Sequence, residues 1–187
     1  KGNGVPEFED QWFSHFGAPG VVYPSHPLYV AFGQAVGQLL YENDKVILVG
    51  ADTLRDLKCF DLKERFPNRV FDFGIAEQNA VSFASARALQ GEIPIFVTYA
   101  CFIRRAFEQI YNQITEGTKV IYVGSMAGSL TPDGPGISHQ SLDDGEYMGN
   151  LMPVVEISKF RPDMIDATMY GAVEDESSSY IRLMHNE

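Results

Sequence analysis

The sequence predicts an α/β fold, a doubly wound, mainly parallel six-stranded sheet with helices on both faces. Three observations predict it. Six short apolar runs alternate with longer segments whose apolar residues recur at helical spacing. The short runs are continuously apolar rather than alternating, as strands covered on both faces are. The segments between them are long enough for crossover helices, which have to pack back onto the sheet.

Residues 1–27 stand outside this pattern. Lys1-Gly2-Asn3-Gly4-Val5-Pro6 is loop material, and turn formers dominate over 17–27, with Pro19, Gly20, Pro24 and Pro27, as in a linker. The chain opens on lysine and reads as a piece of a longer protein whose next folded unit spans 28–187. Ser25, His26 and Pro27 supply a helix start, after which Leu28, Ala31, Phe32, Ala35, Val36, Leu39 and Leu40 share one helical face. Gly33 and Gly37 lie four apart on that helix and permit close approach of another backbone. The six strands are expected at 46–49, 70–73, 95–99, 120–123, 154–157 and 180–183. Helices are expected over 57–66, 76–89, 102–115 and 164–173, with Pro162 marking the start of the last.

Composition narrows the function classes. Of 187 residues, 45% are apolar and 21% charged, enough to bury a real core. No uncharged apolar run reaches the ~18 residues of a membrane span, and no secretion signal opens the chain, so a soluble cytoplasmic protein is the default. The net charge of -11 disfavours nucleic acid and requires any anionic ligand to be held by local groups. Cys59 and Cys101 each lie in an apolar stretch, which argues against a disulfide framework and against a cysteine metal site.

In such sheets ligands bind beyond the carboxyl ends of the strands. Four strand ends carry unusual chemistry: Gly50-Ala51-Asp52, Gly74-Ile75-Ala76-Glu77-Gln78-Asn79, Tyr99-Ala100-Cys101-Phe102, and the stretch 124–144. The last contains Gly124, Gly128, Gly134 and Gly136 and reads as a long functional loop. No Walker pattern and no dinucleotide glycine fingerprint follows any strand.

The run Phe71-Asp72-Phe73-Gly74-Ile75-Ala76-Glu77-Gln78-Asn79 resembles the pyrimidine-binding domain of the transketolase group of thiamine diphosphate enzymes, which includes deoxyxylulose phosphate synthases and 2-oxoacid dehydrogenase beta chains. The resemblance continues through Gly91, Pro94, Thr98 to Phe102, Arg105-Ala106-Phe107-Glu108-Gln109, Gly136-Ile137-Ser138-His139-Gln140 and Asp143-Asp144. Residues 1–27, with His15-Phe16-Gly17-Ala18-Pro19, look like the tail of the preceding diphosphate-binding domain.

The resemblance implies roles for individual residues. Glu77 resembles the glutamate that exchanges a proton with the far ring nitrogen of the cofactor's aminopyrimidine; by itself it reads as an ordinary first-turn glutamate favoured by the helix dipole. Phe102 and Tyr99 resemble aromatic residues that stack on that ring, and both also suit core positions. His139 looks like the active-site histidine, able to shuttle a proton. Asp52 occupies the place of an acidic residue near the cofactor, although a strand-end turn cap explains it too. Arg105 matches an arginine near the substrate's anionic group, and His15 sits in a stretch resembling the family's His-Gly-Ala-Pro element, with Phe16 inserted, which implies that it faces the thiazolium or a substrate phosphate. Arg104 is more simply read as pairing with Glu108 one turn on. His26 and His185 read as a cap-region residue and a frayed end. The loop departs from sugar-transferring transketolases by two extra residues before Ser138, which leaves Asp133 without a clear substrate role.

The resemblance further implies a thiamine diphosphate cofactor, with Mg²⁺ held by a partner domain, since nothing here resembles the Gly-Asp-Gly to Asn motif. Activity is then expected only with a diphosphate-binding domain or subunit, in a homodimer or heterotetramer, on small-molecule substrates and with an acyl or lipoyl carrier as one type of acceptor. The implied reaction moves a two-carbon ketol or acyl unit from a ketose phosphate or 2-oxoacid donor. A non-catalytic assembly or regulatory domain is the competing class, and a flavodoxin-like binding module a third.

Overall fold

A computed structural model describes residues 26–128 and 137–186. The expected linker, His15 and the middle of the glycine-rich loop, Asp133 included, lie outside the described residues. The chain runs α1 (Pro27–Glu42), β1 (Val46–Gly50), α2 (Leu62–Arg65), β2 (Val70–Asp72), α3 (Glu77–Leu89), β3 (Ile93–Tyr99), α4 (Ala100–Ile103) and α5 (Phe107–Thr115). Then follow β4 (Ile121–Gly128), α6 (Asp144–Gly149), β5 (Val154–Ile157), α7 (Ile165–Glu174) and β6 (Ser179–Asn186). Six strands form one sheet in the order β2-β1-β3-β4-β6-β5, and every pairing is parallel.

Successive strand residues point to opposite faces, and the core divides accordingly. Val46, Leu48, Ile95, Val97, Ile121, Val123, Ile181 and Leu183 pack on one side with α1, α2 and α7. Ile47, Val49, Phe96, Tyr122 and Tyr180 pack on the other with α3, α5 and α6. The sheet is thus apolar on both sides, which is why its strands read as unbroken apolar runs.

Local departures from the sequence expectation have physical causes. Only Leu62–Arg65 of the expected 57–66 helix is helical, because Lys58 takes a left-handed conformation and Cys59 N–H bonds back to Leu54 C=O. This irregular segment packs on α1 at Gly33, where a Cβ would lie 2.4 Å from Lys58 C=O. The expected 102–115 helix begins at Ala100 and is interrupted by a 3₁₀ turn over Arg104–Ala106. Gly124 to Gly128 continue β4 rather than opening a loop, with register shifts beside Ala127. The short helix α6 is not among the helices expected from sequence.

Two polar clusters tie elements together. Arg182, on β6, makes two bonds of 2.7 and 2.8 Å to the fully buried Asp144 of α6; Tyr180 donates to the same carboxylate at 2.7 Å, and Arg182 also pairs with Glu156 on β5. Burial opposes the Arg182 charge, but the bonds to Asp144 outweigh it and hold the guanidinium firmly cationic. On the other face, Tyr29 of α1 accepts the Met126 N–H at 3.2 Å, and its hydroxyl lies 3.2 Å from His185 Nδ1. His185 is therefore no frayed end: its ring stacks on Tyr29 with 11° between planes. His26 caps α1 by accepting Leu28 N–H at 3.4 Å.

Candidate active site

The sheet changes its direction of winding between β1 and β3. The chain leaves β1 toward one face and β3 toward the other, so the two loops diverge and open a crevice at the carboxyl ends. A cleft of about 260 Å³ occupies this position. Asp52, Thr53 and Asp56 line it after β1, Ile75 and Glu77 after β2, Tyr99, Phe102 and Arg105 after β3, and His139 after β4. Six of the residues singled out from sequence are thereby brought to one place, although they span 88 positions of chain, from 52 to 139.

The turn from β2 into α3 sets the acid. Gly74 adopts φ 64°, which an L side chain resists, and the chain reverses to make Glu77 the first residue of α3. Asp72 fixes this turn from the strand end: its Oδ1 accepts Gly74 N–H at 3.1 Å and Asp52 N–H at 2.9 Å, joining the loops after β1 and β2. Asp52 itself sits at φ 60°, a conformation that Asp tolerates better than most residues.

Glu77 is 2% exposed, and its Oε2 makes no hydrogen bond. The nearest cation is Arg105, with Nη1 at 3.2 Å and a half-exposed side chain. A buried carboxylate oxygen without a hydrogen bond is uncommon and fits a donor brought from outside the chain. In the same cleft, Tyr99 and Phe102 stack with ring centroids 5.6 Å apart and 18° between planes. Tyr99 O–H donates to Asp56 Oδ2 at 2.6 Å, which fixes its ring. His139 presents its edge to Phe102 at 5.2 Å and to Tyr99 at 6.2 Å, with Nδ1 2.9 Å from Ser138 Oγ. An acid and a flat aromatic face lining one cleft have the chemistry to take a planar heterocycle bearing a ring nitrogen.

Sequence reasoning missed Asp56, Asp72, Thr53 and Ile75. Asp72 lay inside the quoted motif at a strand end, so a signal existed; Asp56 lies in the irregular segment before α2 and had none. Arg104 makes no ion pair with Glu108 among the described residues, contrary to the simple helical expectation. Cys101 is buried next to the site, and burial pushes its thiol up to about 11, so it is no thiolate nucleophile. Among the described residues no group of three or more His, Cys, Asp or Glu side chains is placed to hold a metal ion.

A slot for a planar ring at the winding change of a parallel α/β sheet defines a class of ligand-binding domain. Residues 28–183 match the family model of the transketolase pyrimidine-binding domain, and the chain belongs to that family. It is 30% identical over 179 residues to a 1-deoxy-D-xylulose-5-phosphate synthase of Dehalococcoides mccartyi, covering 92% of this chain and 27% of that protein. It is 32% identical over 161 residues to the synthase of Thermomicrobium roseum, covering 83% of this chain and 25% of that protein. The chain thus spans about a quarter of the length of the curated relatives it matches. A solved split-gene transketolase, an inactive beta4 tetramer, superposes with TM-score 0.72 at 34% identity, covering 85% of this chain and 51% of that one. A transketolase from Campylobacter jejuni shares the fold at TM-score 0.73 and 15% identity, covering 85% of this chain and 26% of that one. Among the described residues no helix is long and apolar enough to cross a membrane.

Proposed function

We propose that the cleft receives the aminopyrimidine of thiamine diphosphate and that the chain is the pyrimidine-binding part of a transketolase-like transferase. The observation that carries this is the buried, unbonded Oε2 of Glu77 beside the Tyr99–Phe102 stack. When bound, the cofactor supplies a nucleophilic carbon and an electron sink for moving a two-carbon ketol or acyl unit. Glu77 exchanges a proton with the far ring nitrogen, in a pocket dry enough for that bond to be strong. Tyr99 and Phe102 hold the ring plane and exclude water from the acid. His139 moves a proton at the amino group or at a substrate oxygen, Asp52 contacts the cofactor, and Arg105 holds an anionic group of the substrate.

The same proposal includes the rest of the assembly. Mg²⁺ and the diphosphate are held by a diphosphate-binding domain or subunit, whose tail residues 1–27 represent, with His15 near the substrate. The active unit is a homodimer or heterotetramer in the cytoplasm, working on a ketose phosphate or 2-oxoacid donor and an aldehyde or carrier acceptor. The synthase relatives support a transferase, and the inactive tetramer of the split-gene transketolase supports dependence on a counterpart. In the assembly reconstituted with that counterpart, Glu77→Gln should lower turnover by about 10²–10⁴-fold. Full activity of Glu77→Gln would remove the catalytic assignment in favour of an assembly or regulatory domain.

A further inference from the structure

Glu77 and Arg105 form an ion pair between unequal partners. The Glu77 side chain is 2% exposed at the start of α3, whereas the Arg105 side chain is 52% exposed, in the 3₁₀ turn between α4 and α5. Nη1 approaches Oε2 to 3.2 Å, yet the geometry is not that of a hydrogen bond. The acid is fixed by its burial; the arginine, on a long flexible stem, is free to move.

Granting that the ligand is thiamine diphosphate, we propose that Arg105 is a transferable counter-ion, pairing with Glu77 before the cofactor ring is bound and turning to an anionic substrate group once the ring takes the acid. A buried carboxylate with no counter-charge is strongly unfavourable, so Arg105 stabilises the cofactor-free cleft. As the ring binds, the carboxylate takes up one proton from solvent and shares it with the ring nitrogen, so its negative charge is neutralised and the attraction holding the guanidinium falls. The released guanidinium presents a planar fork suited to phosphate or carboxylate. The other carboxylates of the cleft offer no equal alternative: Asp56 is taken by Tyr99, and Asp52 is exposed at the rim. Linkage makes the effect reciprocal, so an anion on Arg105 favours the cofactor as the cofactor favours the anion.

The experiment is a thiamine diphosphate titration, followed by circular dichroism, of the assembly with its diphosphate-binding counterpart. Arg105→Gln removes the competitor for Glu77 and should tighten cofactor binding by about fivefold or more, while lowering the melting temperature of the cofactor-free assembly. Arg105→Lys keeps a cation and should stay close to wild type. In a Glu77→Gln background Arg105→Gln should have no further effect on cofactor affinity. Inorganic phosphate, added as the anion probe, should weaken cofactor binding less in wild type than in Arg105→Gln, because only wild type has an arginine to draw away. Unchanged or weaker cofactor binding in Arg105→Gln overturns the exchange of partners, as does equal weakening by phosphate or the same Arg105→Gln shift without the acid. A wild-type assembly that binds no thiamine diphosphate sinks the functional proposal and this one with it.

Discussion

Glu77 has its position decided by the turn that precedes it, through the left-handed Gly74 and the bracing Asp72, and it shares its cleft with the stacked rings of Tyr99 and Phe102. Removing one ring should weaken the slot without unfolding the chain. Phe102→Ala is expected to cost about 1 kcal/mol or more of cofactor binding in the reconstituted assembly, measured as the dissociation constant. Tyr99→Phe keeps the ring but loses the bond to Asp56, and should cost about 1 kcal/mol by the same measurement. Glu77, Phe102 and His139 were legible in sequence because each sits in a short motif at a strand end. Asp56 was not, since its partner Tyr99 lies 43 positions away and nothing local marks the pair.

At the scale of elements, α1 carries two contacts that sequence periodicity foreshadowed only in part. Gly33 was read as a site of close approach, and the segment that approaches is the irregular one around Lys58. Gly33→Ala should therefore lower stability by about 1–3 kcal/mol in urea unfolding, because backbone cannot shift as a flexible side chain does. The helix expected over 57–66 failed for the same reason: the chain bends to meet α1, and tertiary contact overrides a weak local preference. The other contact joins α1 to β6 through Tyr29 and His185. Burial lowers His185 from its ordinary 6.5, with the charges of His26 and Lys159 adding to it, and burial likewise lowers His26, with Lys159 adding. The unfolded chain then binds protons more readily than the folded one, so stability is full above 6.5 and declines as pH falls below it. Urea midpoints at a series of pH values should show this fall, and His185→Gln should flatten it.

For the whole molecule, the six strands and the two-sided core followed from continuous apolar runs separated by helical ones. Strand order did not: no local pattern announces that β6 inserts between β4 and β5. Arg182 ties the inserted strand to its surroundings, reaching Asp144 on α6 and Glu156 on β5. Arg182→Met should strand the buried Asp144 carboxylate and cost about 3–5 kcal/mol of stability, read from urea unfolding. Pairing it with Asp144→Asn should recover part of the loss. The two outermost strands have a consequence for how such chains meet one another. β2 is only three residues long, and β5 turns Glu156 outward while keeping part of its length wet. Both margins discourage ribbon-to-ribbon annealing with a neighbour, so a partner of this domain would have to meet it on helices and loops.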